Sequence, residues 1–321
     1  SPVVGFLAMA FLLGGCTVKV HSSDDSITFD AGPSNGSLKG ITIETHGMGP
    51  QITAEGEATE ETRNVPSFHG IDAGSVFRVE YTTGAEAPIK ISAQKNVLQH
   101  IKTSVKDGVL SLDLDGNFRE LKPIVVTISN PHLDDLTVSG AANFKGAGLS
   151  ESRMKLDISG GSEVTLDGRV GDLNAQLSGA GILHGDALQQ TSLKGDLSGG
   201  ATATLMGTPN LVDVTVGGGS KLSVANVSAT RVKLELSGGG QADLKGTTDS
   251  LDVSCDGGST ADLSELVAQS AKTEANGGSQ IRLDVRKALV ANANGAGNIT
   301  YKGNPGSVTK SAEGASNIGP D

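Results

Sequence analysis

Apolar and polar residues alternate with period two through most of the chain, and from residue 136 the alternation repeats on a fixed beat. The stretch SGGSEVTLDG (159–168) returns as SGGATATLMG (198–207), SGGGQADLKG (237–246) and NGGSQIRLDV (276–285), each starting 39 residues after the last. The first glycines of successive corners are Gly140, Gly160, Gly179, Gly199, Gly218, Gly238, Gly257, Gly277, Gly295 and Gly314. These are ten copies of a unit averaging between 19 and 20 residues, the mark of a repeat architecture. Two residues before each glycine the column is apolar, from Val138 and Ile158 through Cys255 to Ala312. Four residues after it stand Phe144, Val164, Leu183, Ala203 and their successors. Residues two apart share a face of a strand, so each unit predicts one strand before the corner and one after. A single unit buries too little to fold alone, and stacking turns each column into a continuous ladder. The prediction is an all-β parallel β-solenoid (β-helix) of about ten rungs, roughly 48 Å long at about 4.8 Å per rung. Glycine at the corner answers crowding between rungs and a positive φ. The serines before it (Ser139, Ser159, Ser178, Ser198, Ser237) are expected to form hydroxyl ladders.

Upstream the pattern changes. Residues 64–135 read as a β-rich segment: VFRVEY (76–81), IKISA (89–93), VLSLDL (109–114) and IVVTIS (124–129) alternate. NVLQHIKTSV (96–105) has the spacing of a short helix, and Asp107-Gly108 reads as a turn. Residues 16–63 are polar, Gly-rich and acidic, and read as a tether with one short strand near Ile41–Ile43, order beginning around Val65. Residues 1–15 read as a signal-peptide remnant. Val3–Leu13 is an uncharged apolar run of 11 residues, too short to span a bilayer at about 20 residues but suited to a signal-peptide core. It leads into Leu13-Gly14-Gly15-Cys16, which resembles a bacterial lipobox, so Cys16 is the expected lipid attachment site. Without an initiator Met or a basic n-region, the true start is expected upstream. Thr17, where an Asp would hold a lipoprotein back, favours outer-membrane sorting in a Gram-negative host. The expected division is therefore 1–15 signal remnant, 16–63 tether, 64–135 β-rich segment and 136–321 solenoid.

Three blocks in this order, RNVPSFHGIDAGSVFRVEY, ISAQKNVLQHIKTSVKDGVLSLDL and PIVVTISNPHLDDLTVSGA, with the late NGAGNITYKGNP, resemble the auto-transporter adhesin head GIN domain family of bacterial envelope proteins. The resemblance spans about residues 64–319. It implies a right-handed solenoid in an exported, often lipid-anchored protein, and it brings no catalytic residues. The acidic stretch before residue 64 departs from the family pattern.

Composition narrows the function. The net charge is −11, and no run of Lys or Arg offers a phosphate-binding surface, so nucleic acid is not an expected partner. Aromatics are 3% with no Trp, so the core must be thin and aliphatic, and sugar-stacking platforms are scarce. With Cys16 lipidated, Cys255 has no partner and no disulfide framework exists; in its apolar column it reads as a buried thiol. His21, His46, His69, His100, His132 and His184 are scattered without metal-ligand spacing, so neither a metal nor a cofactor is expected. The most ordered charge pattern lies outward on the strand before the corner, where Asp135, Lys155, Asn174, Lys194, Asp213, Lys233, Asp252 and Lys272 alternate. Asp157, Asp196, Glu235 and Glu274 share rungs with those lysines. A catalytic cleft would break symmetry, whereas this pattern recurs every second rung, which favours a solvated ladder.

The expected function is that of a non-enzymatic, lipid-anchored envelope protein, with no catalytic residues, whose solenoid presents a polar surface to an envelope glycan or protein. The polar positions after the corner (Glu163, Thr165, Thr202, Thr204, Gln241, Asp243, Thr260, Gln280, Arg282) supply that surface. The segments DALQQT (186–191) and SELVAQS (264–270) read as exposed turns able to carry specificity. The alternatives are a β-helix lyase or hydrolase, and a structural or signalling periplasmic lipoprotein. The expected location is the cell envelope, anchored at the outer membrane.

Overall fold

The computed structural model describes the backbone of residues 17–23, 26–32 and 41–43, and residues 51–321 in full. These divide into two compact units: the described residues up to Thr53 with Gly116–Arg119, and Ala54–Asp115 with Glu120–Asp321. Cys16 and the apolar run before it lie outside the described residues.

In the first unit β1 (Thr17–Ser23), β2 (Ser26–Gly32) and β3 (Ile41–Ile43) form an antiparallel sheet in that order, with Thr17 opposite Gly32 and Phe29 opposite Ile41. β4 (Ile52–Thr53) pairs in parallel with a two-residue strand at Phe118–Arg119, the eleventh in chain order. The segment read as a tether therefore carries strands beyond the one expected at Ile41–Ile43. TVKVHSS and SITFDAG each alternate and are rich in β-branched residues, a local preference that outweighs their polar composition.

The second unit begins with β5 (Ala58–Arg63), earlier than the order expected from Val65. It continues through β6 (Gly70–Ala73), β7 (Phe77–Thr83), β8 (Ile89–Gln94), α1 (Lys95–Leu98), β9 (Ile101–Lys106) and β10 (Val109–Leu114). Past β11 (Phe118–Arg119) come β12 (Ile124–Asn130), β13 (Asp135–Val138) and β14 (Asn143–Ile158). Parallel registers place Ile71 of β6 beside Leu110 of β10 and Leu136 of β13. Val79 of β7 likewise lies beside Val126 of β12 and Phe144 of β14. β6 and β7 are thus already a layer of the solenoid, with Ser75 at the corner where later turns place glycine; Ser75 has φ 58°. Beneath them lie β10 and β12, and antiparallel β9, β8 and β5 close that end.

The helix is shorter than NVLQHIKTSV suggests: only Lys95–Leu98 is helical and Ile101–Lys106 is strand. Two features cut it short. Asp107 (φ 51°) and Gly108 (φ 78°) form a two-residue hairpin turn that fixes Lys106 opposite Val109. The Arg63 guanidinium donates to the Leu98 carbonyl at 3.0 Å and the Ile101 carbonyl at 2.6 Å, which ties the helix end to the start of β9.

From β14 the chain winds through β15 (Glu163–Leu177), β16 (Ile182–Leu197), β17 (Thr202–Met206), β18 (Leu211–Val216), β19 (Lys221–Leu236) and β20 (Gln241–Cys255). It ends with β21 (Thr260–Ala275), β22 (Gln280–Ala293), β23 (Asn298–Gly303), β24 (Ser307–Ala312) and β25 (Asn317–Pro320). The ten glycine corners bound about nine turns of a parallel β-solenoid. Corner-adjacent columns stay dry through most of the stack: Ile158, Leu177, Val216, Cys255 and Ala293 are at most 1% exposed. The column six residues after the corner alternates in bulk at first. A methyl on Gly146 would meet Leu166 Cδ2 at 2.9 Å, and one on Gly185 would meet Leu205 Cδ2 at 2.5 Å. Gly there leaves room for the next turn's Leu.

All ten corner glycines have φ between 65 and 77°. Each corner carbonyl, from Gly140 to Gly295, accepts the amide of the residue directly after the corner glycine of the next turn, as in Gly161 N–H to Gly140 at 2.7 Å and Ala315 N–H to Gly295 at 2.7 Å. The expected hydroxyl ladders sit elsewhere. The bonding serines are two residues after the glycine, where every residue is Ser, Gly or Ala. Ser162 and Ser259 donate back to the carbonyls of Ser159 and Asp256 at 2.8 and 2.9 Å and close the corner, while Ser279 reaches the Cys255 carbonyl of the preceding turn at 2.9 Å. Position explains the difference: Ser159, Ser178 and Ser198 are outward, whereas Ser162, Ser259 and Ser279 are fully buried and use their hydrogens within the protein; Ser220, equally buried, has no hydrogen-bond partner. In the expected column the ladder is made by amides instead, Asn276 to Asp256 and Asn294 to Asn276, both at 2.9 Å.

Candidate functional site

The outward charges lie in the register the sequence implies. Strand pairing sets Asp135 beside Lys155, Lys194 beside Asp213, and Lys233 between Asp213 and Asp252, with Lys272 next. The bonds these groups make run mostly along strands. Lys233 Nζ meets Glu235 Oε1 at 2.7 Å and Lys272 Nζ meets Glu274 Oε1 at 3.3 Å, two residues on in the same strand. Between turns only the looser Lys155–Asp135 contact, 3.8 Å, belongs to this column. The hydrogen bond to Glu235, the Glu235 charge and then Asp213 hold the Lys233 ammonium above the usual lysine range. Lys233, Glu235, Asp252, Ser254, Lys272 and Glu274 line a shallow open groove of about 380 Å³. Acid and base alternate along its walls, so it offers hydrogen bonds and paired charges without an apolar floor for a small ligand.

Past the corner, Glu163, Thr165, Thr202, Thr204, Gln241, Asp243, Thr260, Gln280 and Arg282 all face outward, half-buried or exposed. Gln241, Thr260 and Gln280 stack in one column, and Asp243, Asp262 and Arg282 in the next. Arg282 lies 3.7 Å from Asp262, and Lys245 meets Glu265 at 2.9 Å. Partial burial works against the Asp262 charge, but the Ser264 hydroxyl and amide, with Arg282 and Lys245, hold its carboxyl below the usual range.

The two segments expected as exposed turns are strand. Residues 186–191 lie within β16 and 264–270 within β21, with Leu188, Leu266 and Ala268 fully buried and Gln190 3% exposed. The polar letters hid an alternation whose inward members are Leu, Ala and one amide. Neither amide atom of Gln190 has a hydrogen-bond partner; its side chain packs against Gly207, where β17 and β18 are interrupted. That interruption leaves Met206 and Leu211 38% and 46% exposed.

The histidines are dispersed. His69 pairs with Asp134 at 2.7 Å, His132 with Glu151 at 3.4 Å and His184 with Glu163 at 3.4 Å. His21 and His46 lie where no side chain is described. Among the described residues no group of three His, Cys, Asp or Glu is placed to hold a metal ion. Asp72 sits near Asp113 and Asp135, and burial followed by those two charges pushes its carboxyl up. Cys255 is fully buried, and burial pushes its thiol up to about 12, which keeps it protonated and unreactive. Among the described residues no helix is long and apolar enough to cross a membrane.

These features define a class: a repetitive parallel solenoid with broad polar faces. The family described as "Putative auto-transporter adhesin, head GIN domain" matches residues 67–223 and 196–305, and the chain belongs to it. Solved structures with similar folds include a "putative adhesin" from Bacteroides fragilis, 19% identical, covering 84% of this chain and 100% of that one with a TM-score of 0.35. A "putative adhesin" from Parabacteroides merdae is 17% identical, covering 84% of this chain and 99% of that one with a TM-score of 0.48. A "Putative lipid binding protein" from Parabacteroides distasonis is 17% identical, covering 85% and 100% with a TM-score of 0.43. No curated protein matches. The family match, rather than these distant likenesses, places the chain.

Proposed function

We propose that this chain is an exported cell-envelope protein, anchored at the outer membrane through lipid on Cys16, that binds an envelope glycan or protein through its polar outward faces and catalyses no reaction. The observation that carries this reading is the match to an adhesin family over residues 67–305. The charge geometry supports it. Carboxylates on the outward strands are engaged by lysines along their own strand and recur every second turn. A catalytic centre concentrates its groups at one place. Contacts spread along many turns suit a long polar partner, each contact weak and the total set by their number.

The test is incubation of the full chain with acidic and neutral polysaccharides and with envelope extract. Retention of a polysaccharide or an envelope protein without turnover is expected. Reducing ends or unsaturated products above a heat-inactivated control would overturn the reading in favour of a β-helix lyase or hydrolase. Anchoring is tested separately: Cys16→Ser in the precursor should move the protein out of the membrane fraction. Unchanged fractionation, with no lipid mass on the parent protein, refutes the anchor while leaving the binding reading standing.

A further inference from the structure

The strands before the corner make one continuous face. β13, β14, β15, β16, β18, β19, β20 and β21 follow one another in parallel register, and no register shift falls within their paired pre-corner stretches. Outward columns cross this face seven, five, three and one residues before the corner glycine. Lys194, Asp213, Asp172 and Arg231 are all exposed, and none makes a salt bridge or side-chain hydrogen bond among the described residues. The central charges are therefore open to an outside partner.

The order of the columns says which partner fits. A two-fold axis parallel to the strands, midway between β16 and β18, sets each column against itself in reverse. In the column five before the corner, Lys194 then meets Asp213, Lys155 meets Asp252, and Asp135 meets Lys272. Lys233 meets the amide of Asn174. Three before the corner, Asp196 meets Thr215, Asp157 meets Ser254, and Glu235 meets Gln176, so no two acids collide. Strict alternation alone produces those matches. The column seven before the corner does not alternate: it reads Arg153, Asp172, Ser192, Leu211, Arg231 and Ser250. Yet the same axis sets Asp172 against Arg231. It also brings Leu211, 46% exposed and beside the axis, against its own counterpart about 4.8 Å away along the solenoid.

We propose that this face is the interface of a two-fold homodimer in which two solenoids lie antiparallel, face to face. A closed two-fold contact requires a self-complementary patch, and these columns supply one. Eight strands about 4.8 Å apart and seven residues at about 3.3 Å span about 34 by 20 Å, of order 700 Å² per copy. A standard interface takes about 800 Å² per partner. Leu211 forms an apolar centre within a polar surround. The groove of about 380 Å³ then receives Lys155 and Asp157 of the second copy, over Asp252 and Ser254. The paired charges fix register and orientation more than they add affinity. The face after the corner stays open to the envelope partner.

The experiment uses the full chain carrying Cys16→Ser, so that lipid does not mediate association. Mass is read by light scattering after gel filtration over a range of concentrations, and folding from the circular dichroism spectrum. The parent should run at twice the monomer mass. Arg231→Asp and Asp172→Arg should each run as monomers, since each sets like charges together twice across the axis. An equimolar mixture of the two variants should return to the dimer mass, because Asp then faces Arg at both places. Within one chain these positions lie three strand spacings apart, about 14 Å, so rescue by mixing passes only between copies. A parent that is monomeric at every concentration overturns the proposal. So does a dimer that survives both reversals, or folded variants that stay monomeric when mixed. If either reversal fails to fold, Leu211→Glu decides: a folded chain that still dimerises overturns the proposal, and a monomer supports it. The envelope reading is tested separately, by polysaccharide retention and fractionation.

Discussion

Replacing Gly160 by Ala should damage the protein far more than replacing its neighbour Gly161. Gly160 has φ +71°, and a Cβ built there would lie 2.5 Å from the Gly140 carbonyl oxygen and 3.0 Å from the Gly140 nitrogen. Holding an L-residue in the left-handed region costs about 1–2 kcal/mol. Relieving a clash with backbone, which has no rotamer to give way, adds about 1–3 kcal/mol. Lower entropy of the unfolded alanine chain returns about 0.4–1 kcal/mol. The net loss expected is about 1–4.5 kcal/mol. At Gly161 the nearest atom to an added methyl is the same oxygen at 3.8 Å, an ordinary contact. The site is exposed, so the change should stay within about 0.5 kcal/mol. The repeats carry the same message: the Gly160 column never departs from glycine in ten corners, whereas the Gly161 column accepts Ala141, Ala180, Ala296 and Ala315. Urea unfolding followed by circular dichroism gives the two differences. Because turns couple mainly to their neighbours, amide exchange between residues 140 and 180 should rise first in Gly160→Ala. Equal losses for the two variants, or a larger loss at Gly161, would refute the corner argument.

Four further outcomes follow from the same geometry. Ser75→Gly should stabilise by roughly 1 kcal/mol in thermal or urea unfolding, because Ser75 holds φ 58° in the glycine column. Arg63→Ala should cost about 1.5–3 kcal/mol, since a charged group bonding the Leu98 and Ile101 carbonyls is lost, and exchange in Ile101–Lys106 should quicken. Burial pushes the Cys255 thiol from 9.0 to about 12 and the Tyr81 hydroxyl from 10.0 to about 12, so the folded chain keeps protons that the unfolded chain releases. Stability should therefore be intact below pH 9 and fall as pH rises towards 12, less steeply in Cys255→Ala; a flat alkaline profile would contradict this. Lys194→Glu sets like charges beside Asp213 and near Asp196, and unfolding should show a loss of about 0.2–1 kcal/mol.

The solenoid was legible because its signal repeats: an apolar column sampled ten times survives individual exceptions such as Cys255 or Thr273. The layer made by β6 and β7 escaped notice although it obeys the same columns. Its corner residue is Ser75 rather than Gly, and the next corner is 65 residues away because the end cap is inserted between them. Period gives no warning of a cap that folds back beneath a turn already made. The short helix was over-read because IKTSVK can be scored at either period, and only pairing with VLSLDL decides for strand. At the surface, the column of charges was visible, but its bonding was not. Register fixes which residues are neighbours, whereas whether Lys233 turns towards Glu235 or Asp252 depends on side-chain reach. The turns at 186–191 and 264–270 were misplaced for a related reason: Gln190 looks solvent-seeking by type, yet its position in the alternation puts it inside.

The two-turn period has separate interior and exterior causes, and they end at different places. Inside, Tyr81, Gly146, Leu166, Gly185 and Leu205 alternate large and small, but Val224, Leu244, Leu263 and Leu283 do not. Outside, the Lys alternation continues to Lys272, well past the point where the core has stopped requiring two-turn spacing, and ends at Val290, which is 41% exposed. The core therefore does not impose the charge pattern on the later turns. Exposed pairs such as Lys233–Glu235 are screened by solvent and give only a weak stabilising reason to maintain it. What the alternation does supply is a face with no unbroken run of one sign from Asp135 to Lys272, about 34 Å at about 4.8 Å per strand. Such a face repels neither sign strongly at long range and engages a polar partner only at close fit. Under the proposed reading, this lets a chain with net charge −11 expose a long polar face without attracting every cation that approaches it.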